Sequence, residues 1–158
     1  MNGFRRWVAF GSAGVALTCV GATGARAVPA VPGGQPFEFS APAGEFCDFA
    51  LAGAGRNAAL VRPASPGGDL IATGPVALTV TNLETRVSRS YNISGPTFVD
   101  AATGRLILTG NALVGQPASN NAGSTFLVVT AGRWVFTPQN TVFSSSGTIA
   151  NDICAELG

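Results

Sequence analysis

The chain has 158 residues, 46% apolar and only 11% charged, with nine arginines, eight carboxylates and a formal charge of +1. It contains no lysine and no histidine. The balance excludes a strongly basic nucleic-acid binder. The missing side chains exclude a Ser-His-Asp triad, imidazole metal ligation, a Walker-type phosphate loop and a lysine Schiff base. We therefore expect no cofactor and no metal, and an inventory poor in catalytic groups.

Residues 1–27 read as a secretory leader. Arg5 and Arg6 give a positive start and Trp7–Ala25 is uncharged. Ala25-Arg26-Ala27 sets small residues at the positions that signal peptidase accepts, so cleavage is expected between Ala27 and Val28. The processed chain keeps six arginines and eight carboxylates and becomes slightly acidic. It is expected to be secreted, with no stable membrane span. Its two remaining cysteines, Cys47 and Cys154, are expected to pair as a disulfide in an oxidising compartment.

Residues 28–44, with four prolines and three glycines, form an extended lead-in that docks Phe37 and Phe39 on the domain. Residues 45–158 read as a single β domain of short Val-, Thr-, Phe- and Ile-rich runs between turn residues. Strands are expected at Glu45–Ala52 and Asn57–Arg62, then a loop over 63–68. A hairpin follows: Val76, Leu78 and Val80 alternate with Ala77, Thr79 and Thr81, turn at Leu83–Arg86, and return through Val87, Tyr91 and Ile93. A second hairpin is expected at Thr97–Asp100 and Arg105–Gly110. A polar loop spans Gln116–Gly123. A third hairpin pairs Ser124–Thr130 with Arg133–Thr137 through Ala131-Gly132. Val142–Ser144 is a short edge strand, and Thr148–Leu157 ends in a helical turn capped by Asn151 or Asp152. About eight antiparallel strands in sequential hairpins favour a small up-and-down β-barrel, calycin-like, with a two-sheet sandwich as the alternative.

Four features bear on function. Glu45, Asp48, Asp152 and Glu156 flank the two cysteines and read as solvated charge rather than a calcium site. Arg89 lies in phase with Tyr91 on the expected inner face, the sharpest candidate for orienting a ligand. Phe126, Trp134 and Phe136 read as core rather than as a sugar-stacking platform. Asn92-Ile93-Ser94 has the form of a glycosylation sequon, without consequence in the bacterial source that the lysine-free, Ala/Gly/Arg-rich composition suggests.

The leader, Phe46-Cys47-Asp48-Phe49, the run Thr79-Val-Thr-Asn-Leu-Glu-Thr85, Asn92-Ile-Ser-Gly-Pro96 and Cys154 near the end together resemble a group of small exported actinobacterial proteins of unassigned function. The resemblance implies export and a shared all-β fold, and it transfers no catalytic residue. At the level of architecture the pattern is also similar to calycin and allene-oxide-cyclase-like barrels. The expected role is binding of a small apolar ligand or a cell-surface component, without catalysis. The rival readings are an isomerase- or cyclase-type enzyme using Asp48, Glu84 or Asp152 as base, and a pocketless surface protein.

Overall fold

The computed structural model describes residues 8–9, 29–64, 69–120, 124–139 and 142–158. The expected cleavage site, Ala27-Val28, lies outside them. The protein is all-β and antiparallel, with one short α-helix and a 3-10 turn at Ala118–Asn120 among these residues. The strands in chain order are β1 (Val8–Ala9), β2 (Val31–Pro32), β3 (Phe37–Ala41), β4 (Leu51–Asn57), β5 (Leu60–Pro63), β6 (Leu70–Thr73), β7 (Val76–Asn82), β8 (Ser88–Asn92), β9 (Thr97–Val99), β10 (Leu106–Thr109), β11 (Ala112–Gln116), β12 (Phe126–Ala131), β13 (Arg133–Phe136), β14 (Val142–Ser145) and β15 (Thr148–Asp152). Helix α1 (Ile153–Leu157) closes the chain.

These strands are halves of longer, bent ones. β4 pairs with β7 and β5 with β6 in one unbroken register, and the Ala58 amide donates to Pro75 O (3.0 Å) where the halves meet. The same continuity joins β10–β11 to β12–β13, where Gly110 and Gly132 exchange both backbone hydrogen bonds (3.0 and 3.1 Å). Each bend falls at small or turn-forming residues. Gly110 and Gly132 hold φ of 90° and 101°, a region costly for residues with a side chain.

The bends sort the halves into three sheets. A seven-stranded base sheet runs β14-β13-β10-β9-β6-β5-β2. Beyond the bends, four strands continue as a front sheet (β3-β4-β7-β8) and the others as a back sheet (β11-β12-β15), to whose β11 edge β1 adds. The front and back sheets part next to Ser94 and Asn111, whose backbone bond (3.3 Å) is the last between them.

Front and back sheets face each other over the main core. Leu51, Val76, Leu78, Val80, Tyr91 and Ile93 from the front meet Leu113, Leu127 and Val129 from the back, with Ile153 and Leu157 of α1 and the lead-in rings of Phe37 and Phe39. Strand β7 shows why: its apolar positions alternate strictly between buried and outward residues. A second cluster (Leu108, Ala112, Val114, Val128 and Phe136) gathers on one face of the bent β10–β13 ribbon.

Three expectations are corrected. Among the described residues no sheet closes into a barrel: β2 and β14 end the base sheet unpaired with each other, and the arrangement is closer to the sandwich alternative. The bends split each long strand between two sheets, so curvature is spent at corners rather than on closure. Glu45–Ala50 is not strand; the first full strand is β3, in the lead-in, where Phe37 and Phe39 cover Gly55 and Gly53. Ala131-Gly132 is no hairpin turn, since β12 pairs with β11 and β15 while β13 pairs with β10 and β14. Strands β6 and β11 were not anticipated. The 76–93 hairpin, the 97–110 hairpin, the edge strand at Val142 and the terminal helical turn stand as expected.

Candidate functional site

The Cys47–Cys154 disulfide is formed, its Cα atoms 5.3 Å apart across 107 residues of chain. It ties the segment before β4 to α1, and so the two facing sheets to each other. The helix is set by Asp152, whose carboxylate accepts from the Ala155 amide (3.1 Å). Asn82, buried at the end of β7, donates from Nδ2 to Leu157 O (2.9 Å) and receives the Glu84 and Thr85 amides on Oδ1 (2.9 and 3.1 Å). One side chain thus shapes the β7–β8 turn and anchors the chain terminus.

The helix brings Glu156 to the sequence-derived pair. Tyr91, buried on β8, donates to Glu156 Oε2 (3.0 Å), and Asn151 Nδ2 donates to Glu156 Oε1 (2.9 Å). Burial, the hydrogen bond and the charge of Glu156 raise the Tyr91 pKa, and Arg89 opposes them. Below its raised pKa the phenol is held as a hydrogen-bond donor to this carboxylate. Arg89 keeps the inward register, opposite Val80, but its side chain is exposed on edge strand β8. A guanidinium stays in water where no buried partner repays its dehydration. The expected inward Arg89–Tyr91 pair is thus a buried tyrosine beside a solvated arginine.

The carboxylates near the cysteines have separate duties: Glu45 accepts from the Ser119 hydroxyl (2.7 Å), Asp152 caps α1 and Glu156 holds Tyr91. No group of three potential ligands capable of holding a metal occurs among the described residues. Asp48, Glu84 and Asp152 are all exposed, and no charged side chain is buried among the described residues. Phe136 is fully buried, with Phe126 and Trp134 packed against the same cluster, so these aromatics are core.

A surface feature went unnoticed in the sequence. The outer face of the front sheet carries only short side chains at its centre: Ser40 on β3, Ala52 and Ala54 on β4, Thr79 and Thr81 on β7, and Ser88 and Ser90 on β8. Two cross-strand hydroxyl pairs, Thr79–Ser90 (2.9 Å) and Thr81–Ser88 (2.8 Å), run along it. An open groove of ≈ 440 Å³ follows this face, with Ala52, Gly53 and Ala54 as floor and Glu38, Ser40, Thr79 and Thr81 around them. The outward period-2 positions of the Leu78–Asn82 run are the signal that could have located it.

No helix among the described residues is long and apolar enough to cross a membrane. No family model, curated protein or solved structure matches the chain.

Proposed function

We propose that the protein is an exported, disulfide-stapled β scaffold that binds an extended, hydroxyl-rich polymer of the cell surface, such as a glycan strand, without catalysis. The observation that carries this reading is the hydroxyl-lined groove on the front sheet. Its small-residue floor admits a flat ligand, its hydroxyls offer both donors and acceptors, and none of the described residues lining it is an arginine that would favour an anion. The space between the sheets is occupied by Leu51, Val80, Leu113 and Leu127, which favours surface recognition over an internal pocket.

The test is co-sedimentation of the full chain with insoluble cell-wall polysaccharide, beside a Thr79→Arg, Thr81→Arg variant. Binding by the wild type, lost in the variant at unchanged melting temperature, is expected. Equal binding by both, or none by either, overturns the reading.

A further inference from the structure

Every exposed sheet edge is a template for another strand, and most edges here carry a deterrent. Front-sheet edges β3 and β8 hold Glu38 and Arg89, β15 holds Asp152, and β2 holds Pro32. Strand β14 ends in the exposed pair Ser144-Ser145. Strand β11 differs. Its sequence, Ala-Leu-Val-Gly-Gln, has neither charge nor proline, and every residue is buried.

The structure seats a strand on that edge. Val8 and Ala9 of β1 pair antiparallel with Gly115 and Val114. These residues lie upstream of the expected cut between Ala27 and Val28, so processing takes the cover away. The outward-pointing backbone groups can be identified by alternation. Gly110 exchanges both bonds with Gly132, so the even residues of the continuous strand face β12 and the odd ones face the open edge, as Asn111 does in donating to Ser94. Leu113 and Gly115 therefore hold the N–H and C=O groups of that edge, and Val8 of the leader strand sits opposite Gly115.

We propose that once residues 1–27 are gone a second copy of the chain takes this edge, β11 against β11 about a two-fold axis. Of the registers this parity allows, the one centred on Val114 uses both edge-facing residues of each copy. Leu113 and Gly115 of one copy exchange hydrogen bonds with Gly115 and Leu113 of the other, leaving Val114 opposite its own equivalent in a non-hydrogen-bonded pair. Cα atoms in such a pair lie about 4.5 Å apart. The contact is isologous and closed, so it ends at a dimer. It prolongs the back sheet and continues the second apolar cluster through Val114.

Val8→Pro in the full chain removes the amide that faces Gly115 and bares the edge without deleting anything. The wild-type full chain is expected to be a monomer by light scattering, and V8P a dimer of doubled mass that dissociates on dilution. Adding Val114→Cys to V8P is expected to give a reducible cross-linked dimer, whereas the same cysteine with Val8 intact gives none. A folded V8P chain that stays monomeric, or a dimer without the Val114→Cys cross-link, overturns the proposal. Processed protein recovered from secreting cells supplies a second measurement: a chain starting at Val28 should also show doubled mass, and a monomer overturns the proposal equally.

Discussion

The two ends of the same long strands live under different rules. At the front-and-back end, two sheets enclose a core in which Leu51, Val80, Leu113, Leu127 and Ile153 are completely buried, and a disulfide and a capped helix lock the arrangement. At the base end the continuations of those strands form one open sheet, where Leu70, Ile71, Leu106 and Ile107 are only half-buried. The base strands are no poorer in large apolar residues than the enclosed ones. Burial changes because a bend at small residues gives each strand a facing sheet on one side of the corner and not on the other.

The largest expected effect comes from unstapling the enclosed end. A Cys47→Ala, Cys154→Ala chain should lose about 4–5 kcal/mol of unfolding free energy, the loop-closure value for a cross-link of this span, measured by denaturant titration. A loss under about 1 kcal/mol would mean that core packing alone holds the sheets. Next, Leu127→Ala should cost about 2–5 kcal/mol and Ile107→Ala roughly 1. Equal costs would erase the contrast between the ends. At the corner, Gly132→Ala should cost about 1–3 kcal/mol, because a Cβ there meets Gly147 Cα at 2.7 Å on top of the positive φ. Gly44→Ala, also at positive φ but with open space around it, isolates the backbone contribution and should cost about 1–2 kcal/mol.

The smallest effect is a pH dependence. The Tyr91 pKa is raised in the folded state, so the stability it contributes is fully present below the ordinary phenol value of 10.0 and is lost as pH rises above it. Alkaline melting curves of Tyr91→Phe should therefore fall less steeply than those of the wild type above that point. Parallel curves would mean that neither burial nor Glu156 raises the phenol's pKa in solution.

How much of this was legible depended on whether the signal was local. The Val76–Ile93 hairpin was readable because alternation and turn chemistry sit within a few residues of each other. The bend at Gly132 was not, because a positive-φ glycine serves a hairpin turn and a kink equally well, and its partner Gly110 lies on another strand. Strand β11 is buried on both faces and so lacks the alternation that announces a strand. Prolines around Phe37 and Phe39 concealed β3, although two rings spaced to cover Gly53 and Gly55 were there to be read. At the candidate site the phase of Arg89 and Tyr91 was visible. Glu156 was not, since only the helix at the far end of the chain carries it to the phenol.

Trp134 packs its indole against Gly147 at the corner, and its Nε1 is buried without a hydrogen-bond partner among the described residues. The chain's other tryptophan, Trp7, belongs to the segment expected to be removed. In the processed protein all tryptophan fluorescence would then come from this hinge. The spectrum would be a built-in optical gauge of the corner: blue-shifted emission while the strands stay folded over, and a red shift when the base sheet opens, even with the stapled end intact.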